Sequence, residues 1–581
     1  MRVEKTKPAK DPITSEAMLR QLEELKVKGV NHLPIIRAYA EKLRLAQIVN
    51  ERVPSEMNIP PGVVILALVL DTLSGRTPLY RLDESFAGLD TEALLGQKIE
   101  AEELNDDLLG RVLDRTFRAG TLKIFSAVSR QAVQVFPVEG QRFHYDTTSV
   151  NVFGDYRYEP EAPPPFQIVA GYSKDHRPDL KQFLISLLCT GKRVPVFGKI
   201  EDGNASDKRL NPELLSQISE RLKEAGIPEQ AFIYIADSAM VSRESLREFG
   251  PEEYFITRLP ATFNECERVI REAVEADQWT MVGPLAKTRP TKNRPVALYR
   301  VAGETVQLYG EDYQAVVVHS SAHDQRRRKR MVREQEAERR SLEESFSKQC
   351  LPEYACWKDA EKAAQQWARQ KTFYYQPAYQ VVAQDVYGRG RPPREGKRSA
   401  IRQVYRIETR LSLDLAQIQR RETEAGCFVL LAKLPPTGPL SLNARQILEA
   451  YKEQHGVEQN FSFLKDPAIV NAIFLKKEER IEVLGLVLLL SLLIWRLIEQ
   501  DLDQFVEAQG KVLTGWDKKK TDRPTAFMLT TKFSGILLIR WGSFCRLEAP
   551  LNPVQREWLQ ALNLSPAIFL GSSRSPRSRC R

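Results

Sequence analysis

The sequence has little of what identifies several common classes of enzyme. It contains only 7 Cys and 6 His in 581 residues, with no C-x-x-C pair and no H-E-x-x-H motif. The cysteines are odd in number and scattered, which argues against a disulfide framework and a zinc cluster and favours a reducing compartment. Phosphate loops of the Walker type and G-x-S-x-G elbows are also missing. Serine hydrolases, kinases, P-loop ATPases and zinc peptidases are therefore not leading interpretations.

The sequence also lacks an apolar run of membrane-spanning length. The longest run, Val483–Trp495, has thirteen residues and is interrupted by Gly485 and Ser491, whereas a transmembrane helix needs about 20 residues. This pattern predicts a helix buried in the core of the protein. The opening MRVEKTKPAK is too charged to contain the apolar segment of a secretory signal. We therefore expect a cytoplasmic protein without a membrane partner.

Composition is otherwise ordinary for a globular chain. Hydrophobic residues make up 42% and charged residues 28%, while Gly (30) and Pro (34) are near background, which excludes wholesale disorder and collagen-like architecture. The length corresponds to roughly three to four average domains. Lys and Arg exceed Asp and Glu by 85 to 76, a net charge of +9. Such an excess indicates a polyanionic partner only where it is clustered.

The pattern of apolar residues changes along the chain. Residues 1 to about 135 show helical periodicity, with Asn105 predicted to cap the helix NDDLLGRVLDRTFRAG. From about residue 140, short strand-like runs alternate with turns, and a helical segment follows the third run. This order predicts a mixed α/β sheet. The strand-like runs are RFHYDTTSVNVFG, KQFLISLLCTG, RVPVFGKIEDG, AFIYIADSAM and EYFITRLP.

Beyond Pro260 the pattern is irregular for almost two hundred residues. This region contains one long charged helix over about 324–348, together with strand-like runs. Helical periodicity returns from Ser441 and continues into an apolar helix predicted over 478–500. The strand-like runs are PVALYRVAGE, AYQVVAQDVYG, IRQVYRIETRLSLD and GCFVLLAKL.

Two aspartates stand at positions that favour chemistry. Asp146 follows an alternating strand start in FHYDTTSV, and Asp237 ends a buried strand in FIYIADSAM. In open α/β sheets, ligands bind at the carboxyl ends of strands, so both carboxylates can face one crevice. The alternative is that each aspartate simply forms the turn after its strand.

A third group of polar residues lies in YKEQHGVEQNFSFLK. Tyr451, Glu458 and Lys465 are seven residues apart each time, which on one α-helix places them along a single face over about 21 Å. The alternative is an ordinary amphipathic helix whose Phe461 and neighbouring apolar residues pack on the sheet. That alternative does not explain why Glu458 and Lys465 would lie on the same helix face as Tyr451.

These motifs resemble the DDE transposases of bacterial insertion sequences, in the IS-four superfamily with its Y-(2)-R-(3)-E-(6)-K signature. Tyr451, Glu458 and Lys465 match its spacing, whereas Gln454 occupies the arginine position, with Lys452 nearby as a substitute phosphate contact. The resemblance extends from about residue 30 to 570 and is strongest to the IS-sixteen-thirty-four branch. The strings that carry it are HYDTTSV, GYSKDHRPDLKQ, DGNASDK, IADSAM, YKEQHGVEQNFSFLKDP and KKEERIEVLGLVLLLSLL.

The resemblance implies an RNase H-like mixed-sheet core that is interrupted by a β-rich insertion and preceded by a helical domain. The expected parts are an N-terminal helical domain for DNA-end recognition or assembly (1–135), the first part of the core (136–262), the β-rich insertion with the long charged helix (263–438), the second part of the core (439–510) and a basic C-terminal region with a disordered tail (511–581).

The resemblance also implies roles for individual residues. Asp146, Asp237 and Glu458 are the expected catalytic triad and the ligands of two Mg²⁺ ions, for which Mn²⁺ is an alternative. Hard cations of this kind prefer oxygen ligands, which agrees with the scarcity of Cys and His. Lys465 is expected to bind phosphate beside the cleaved bond, and Tyr451 to position the DNA strand.

The implied function is metal-dependent cleavage and strand transfer at the ends of an insertion sequence. The expected partner is double-stranded DNA, both the terminal inverted repeats and the target, bound by a homodimer in association with the bacterial nucleoid. Two alternatives stay open. One is an RNase H-fold nuclease without strand transfer, and the other is an inactive, transposase-derived DNA-binding protein.

Four segments concentrate the positive charge. Arg326–Arg330 opens the long charged helix, where several glutamates follow, so DNA contact and a solvated, ion-paired helix are equal interpretations. The loop 388–398 has five basic residues and one acid, which favours contact with a phosphate backbone. The others are Trp516–Arg546, with seven basic and two acidic residues, and the arginine-rich tail.

Two tryptophans, Trp357 and Trp367, lie in the predicted insertion. Related transposases can hold a flipped base in this region, and a Trp face suits base stacking. Packing within the protein is the favoured interpretation for both, so neither is assigned to the site.

Overall fold

The computed structural model has a mixed α/β fold and divides into two compact units. The first comprises Met1–Ile256, Pro435–Leu440 and Ala450–Arg581, and the second Thr257–Leu434 and Ser441–Glu449. The structure describes residues 25–75, 77–78, 81–156, 164–172, 177–215, 218–224, 232–247, 249, 253–285, 296–389, 399–466, 475–542 and 544–571.

The described residues form sixteen β-strands. In chain order the strands are β1 (Lys26–Gly29), β2 (Arg142–Val152), β3 (Lys181–Thr190), β4 (Pro195–Glu201), β5 (Phe232–Ile235), β6 (Glu253–Arg258), β7 (Thr280–Pro284), β8 (Leu298–Leu308), β9 (Glu311–Ser320), β10 (Tyr375–Val386), β11 (Arg402–Leu413), β12 (Cys427–Lys433), β13 (Leu513–Thr514), β14 (Lys520–Thr521), β15 (Leu537–Trp541) and β16 (Phe544–Leu547).

The first unit combines a mixed array of strands with most of the helices. Its strands follow the order β4-β3-β2-β5-β6, in which β3 is antiparallel to β2 and β4, while β5 is parallel to β2 and β6. Its α-helices are Leu33–Lys42, Leu45–Arg52, Pro61–Thr72, Leu82–Ala87, Thr91–Leu95, Asp106–Ala119, Thr121–Val135, Asp207–Leu215, Ile218–Glu224, Arg243–Arg247, His455–Leu464, Glu478–Gln509, Ala526–Lys532 and Pro553–Ala561.

The longest helix of the first unit, Glu478–Gln509, forms the centre of its core. It is the one helix in the described part of the chain that is long and apolar enough to cross a membrane, yet 94% of its most apolar stretch is buried inside the protein. Its leucines share one hydrophobic cluster with the N-terminal helices and with β3. The predicted core helix is therefore confirmed. The predicted cap is confirmed as well, because Asn105 Oδ1 accepts a hydrogen bond of 3.1 Å from the Leu108 N–H.

The second unit is rich in antiparallel strands. The strands β12, β9, β8 and β7 are neighbours in that order and pair antiparallel, and β10 and β11 form a long separate hairpin. Its helices are Asn264–Ala276, Ser321–Gln349, Trp357–Ala368, Leu415–Glu424 and most of Ala444–Lys452. The long charged helix is thus confirmed, with bounds slightly wider than predicted.

The basic segments have different surroundings. On the long helix, ion pairs four residues apart join Arg330 to Glu334 and Arg340 to Glu336, as expected for a solvated helix. In the hairpin loop the structure describes Gly388 and Arg389, whereas 390–398 lie outside the described residues, as does the tail 572–581.

The two tryptophans of the second unit differ in burial. Trp367 is buried against Phe346, and its Nε1 donates a hydrogen bond of 3.2 Å to the Leu342 carbonyl. Trp357 is 47% exposed. The packing interpretation is therefore confirmed for Trp367.

Candidate active site

The pairing of β2 with β5 places Asp146 and Asp237 at corresponding positions of neighbouring chain segments. The two strands are parallel, with Arg142 opposite Ile233 and His144 opposite Ile235. Two residues further along stand Asp146 and Asp237, where the backbone of Asp237 is still extended (φ −73°, ψ 179°). The paired register ends at His144 and Ile235, so each aspartate follows the last pair by two residues on its own segment.

Asp146 belongs to the face of the sheet that packs with the helix His455–Leu464. Side chains alternate between faces along a strand. On one face, the Tyr145 ring stacks on Tyr234 at 6.1 Å. On the other, Val150 and Val152 join the hydrophobic cluster that includes Val457 of the helix His455–Leu464. Asp146 is an even number of residues from both valines along β2, so its side chain lies on the same, helix-covered face.

Each aspartate side chain accepts a hydrogen bond from a backbone N–H group one or two residues further along the chain. Asp146 Oδ1 accepts from the Thr147 N–H at 2.7 Å. Asp237 Oδ1 accepts from the Ala239 N–H at 2.9 Å and so caps the 3₁₀ turn Ser238–Met240. The turn-forming role considered for Asp237 is thus present. Both residues are partly exposed, so solvent reaches each of them.

Asn460 fixes the helix His455–Leu464 against the sheet. It is fully buried, its Nδ2 donates to the Arg193 carbonyl at 2.9 Å and lies 3.1 Å from Cys189 Sγ, and its Oδ1 accepts from Arg496 Nε at 2.6 Å. Burial raises the pKa of the Cys189 thiol to about 12, and the charge of Asp146 adds to this rise. Cys189, which Asn460 contacts, pairs with His144 of β2, two residues before Asp146.

The predicted continuous helix through Tyr451, Glu458 and Lys465 is wrong. One helix ends at Lys452 and the next begins at His455. In the connecting turn, the Gln454 N–H bonds to the Tyr451 carbonyl three residues back at 3.2 Å. Backbone bonded in this way has about 3.0 residues per helical turn instead of 3.6. Side chains seven residues apart across it therefore no longer point in the same direction. Tyr451 therefore belongs to a different helix from Glu458.

Glu458 and Lys465 keep their common flank within the second helix. Seven residues of α-helix bring a side chain back to nearly the same direction, and Lys465 closes the helix with αR geometry. The Glu458 side chain is 68% exposed, and its Oε2 lies 2.8 Å from His455 Nδ1. This histidine contact was not predicted.

The three predicted carboxylates do not form a preassembled metal site in the described residues. In the described ranges, no group of three or more His, Cys, Asp and Glu side chains is arranged to hold a metal ion. Asp146 and Asp237 each stand two residues beyond the last pair of β2 with β5, and Glu458 points to solvent beside His455. The ligand set of three carboxylates therefore stays a prediction.

A residue that the sequence did not single out, Glu453, connects the turn between the two helices to β2. Its Oε1 lies 3.1 Å from Arg142 Nη1, and its Oε2 lies 3.7 Å from His144 Nε2. Both partners precede Asp146 on the same strand. A Cβ atom at Gly191 would lie only 3.0 Å from Glu453 Oε2, so a glycine at this position makes room for the carboxylate.

His144 is a neutral member of this group. It is 1% exposed, and neither ring nitrogen has a hydrogen-bond partner among the described residues. Burial lowers its pKa, against the opposing effect of the Glu453 carboxylate. The positive charge that faces Glu453 is therefore supplied by Arg142.

Comparison with known proteins gives one family match. Residues 25–130 match a family model described as "Domain of unknown function (DUF4277)". The matched range begins just before β1 and ends within the helix Thr121–Val135, so it covers the N-terminal helices and excludes Asp146, Asp237 and Glu458. No curated protein matches the chain.

Proposed function

We propose that the chain is a DDE-type DNA transposase whose RNase H-like catalytic core lies in the first unit. The observation that supports this proposal is the parallel pairing of β2 with β5, which ends at His144 and Ile235, two residues before Asp146 and Asp237 respectively. Neighbouring carboxylates are an arrangement that phosphodiester chemistry with divalent cations uses. The proposed reaction is strand cleavage and strand transfer at the ends of an insertion sequence.

The donor set fits Mg²⁺. Asp146 and Asp237 offer carboxylate oxygens, which hard cations prefer, and both are accessible to solvent. Glu458 would complete the set by rotating away from His455, which its 68% exposure allows. When bound, two Mg²⁺ ions would activate the attacking oxygen and stabilise the leaving oxygen. The chain's own part would be to hold Asp146 on β2, Asp237 in the turn after β5 and Glu458 on the helix His455–Leu464.

The DNA contacts of the proposal come from the flank of the second helix. Lys465 lies on the same flank as Glu458, where its ammonium group would bind a phosphate near the cleaved bond. Tyr451, on the preceding helix, would position the strand. Gln454, at the position of the family arginine, is uncharged and precedes the helix His455–Leu464. The proposed setting is a homodimer on double-stranded DNA at the bacterial nucleoid.

The proposal is tested by incubating the full chain with Mg²⁺ and DNA that carries the element's own ends, beside DNA with scrambled ends. Cleavage confined to the element ends, with joining of those ends to target DNA, is expected. Cleavage of branched DNA irrespective of the ends would instead identify a nuclease without strand transfer. DNA binding without cleavage in Mg²⁺ or Mn²⁺ would identify an inactive DNA-binding protein.

A further inference from the structure

The second unit contains a cavity that the proposed chemistry does not use. Its volume is about 590 Å³, within the range of roughly 300–1,000 Å³ typical of ligand sites. Its lining comes from the helix Asn264–Ala276, the first turns of the helix Ser321–Gln349, the helix Leu415–Glu424 and the strand ends near Arg258 and Phe428. The cavity lies wholly within this unit.

The lining is rich in guanidinium groups. Four arginines and three glutamates line the cavity, but two of the acids are already engaged. Glu334 binds Arg330 Nε at 2.6 Å, and Glu267 binds Arg271, outside the lining, at 2.8 Å. The four arginines are Arg258, Arg327, Arg330 and Arg421.

Arg258 and Arg327 are the two exposed lining arginines without a counter-ion. Within the described part of the chain, neither these two nor the half-buried Arg421 has a carboxylate at ion-pair distance, whereas Arg330 pairs with Glu334. Burial raises the pKa of the nearby Cys266 thiol, and the charges of Arg258 and Arg327 oppose that rise. Both positive charges therefore act on the same point of the cavity wall.

Aromatic rings hold two of the arginines in place. The Arg258 guanidinium lies 5.1 Å from the centre of the buried Phe428 ring, a cation–π distance that fixes its orientation. Arg421 lies 5.1 Å from the Tyr374 ring, and its Nη1 donates to the Tyr374 hydroxyl at 3.2 Å. An arginine that is already oriented loses less side-chain freedom when it binds a ligand.

We propose that this cavity is a phosphate-binding site, with Arg258 and Arg327 as its principal contacts. Guanidinium groups match the oxygens of a phosphate in pairs of parallel hydrogen bonds, and a dianionic group would neutralise the charges of Arg258 and Arg327. The phosphate belongs either to a nucleic-acid backbone or to a free nucleotide. This assignment does not depend on the carboxylates of the first unit.

The test is calorimetric titration of the full chain with inorganic phosphate, with AMP and with a short DNA duplex. The double variant R258Q/R327Q is expected to bind phosphate at least tenfold more weakly than wild type. R258K/R327K, which keeps both charges, should lose less. R340Q removes an exposed arginine elsewhere on the long helix and should bind as wild type, and thermal melting establishes that each variant is folded.

The competing ligands distinguish the two sources of phosphate. Displacement of phosphate by the duplex, lost in R258Q/R327Q, assigns the site to a nucleic-acid backbone. Tighter binding of AMP than of phosphate, without displacement by the duplex, assigns it to a free nucleotide. Equal binding of phosphate by wild type and R258Q/R327Q, or no binding of any of the three ligands, would overturn the proposal. An absence of DNA cleavage together with intact phosphate binding would count against the proposed transposase function and not against the phosphate site.

Discussion

Glu453 Oε1 lies 3.1 Å from Arg142 Nη1, although the two residues are separated by 311 positions in the sequence. The contact joins the turn before the helix of Glu458 to the strand of Asp146. It therefore sets the position of one predicted carboxylate relative to another. Asn460 and Arg496 provide a second, fully buried attachment of the same helix.

We expect E453Q to lower the rate of DNA cleavage about tenfold, a change of about 1.4 kcal/mol in the activation barrier. The amide keeps the size of the side chain but loses the charge that attracts Arg142. DNA binding should stay within a few-fold of wild type, because the change acts on the position of Glu458. The measurement is single-turnover cleavage alongside fluorescence anisotropy.

Glu139 provides a matched control for this prediction. Its Oε1 also pairs with Arg142, at 2.9 Å, and its side chain has a similar exposure to that of Glu453. It makes no contact with the turn between the helices in the described residues. Cleavage by E139Q should therefore match wild type. Equal losses in E139Q and E453Q would show that Arg142 itself matters and that the link to the turn does not.

Replacing only one partner of the buried ion pair between Arg496 and Glu499 should strongly lower the stability of the fold. Both side chains are less than a tenth exposed, and removing one partner of such a pair costs about 3–5 kcal/mol because the other charge stays buried. We expect R496M to lower the melting temperature strongly. The double variant R496M/E499Q should recover part of the loss, since the uncompensated charge is gone. Similar melting of R496M and wild type would contradict this account.

The pair of Asp114 and Arg480 should contribute a pH-dependent part of the stability. Two hydrogen bonds of 2.7 and 2.9 Å join them, and this bonding holds the pKa of Asp114 below its usual value. A carboxylate with a depressed folded-state pKa stabilises the fold above its unfolded-state pKa, near 3.9, and loses this effect as the pH falls through the folded-state value. The melting-temperature difference between wild type and D114N should therefore be full at pH 7 and shrink below about pH 4. A difference that is constant between pH 7 and pH 3 would contradict the linkage.

Local patterns were sufficient for much of the fold. The cap at Asn105, the core helix around Val487 and the long charged helix follow from residue types and spacings within one segment, and the structure contains all three. The pattern at a strand start pointed to Asp146, and that at a strand end pointed to Asp237. The pairing of β2 with β5 is a long-range feature that no local pattern determines.

The rest depends on contacts between distant residues. A continuous helix through Tyr451 was predicted from spacing alone, but the chain tightens at Gln454, and Gly456 packs against Arg193 so closely that an added Cβ would lie 2.4 Å from its Cγ. The ion pair of Glu453 with Arg142 cannot be predicted from the local sequence around either residue. The contact of Glu458 with His455 is local, yet a motif based on seven-residue spacing does not reveal it.

Metal-dependent cleavage by D146N, measured on DNA with the element's own ends, tests the central claim most directly. The amide preserves shape but removes a carboxylate charge, so cleavage should fall at least about a hundredfold, or about 2.7 kcal/mol in the barrier. DNA binding should stay within a few-fold of wild type. E507Q, which neutralises an exposed acid on the core helix, should cleave normally. Cleavage by D146N at the rate of E507Q would contradict the assignment of Asp146 to the active site and with it the proposed transposase.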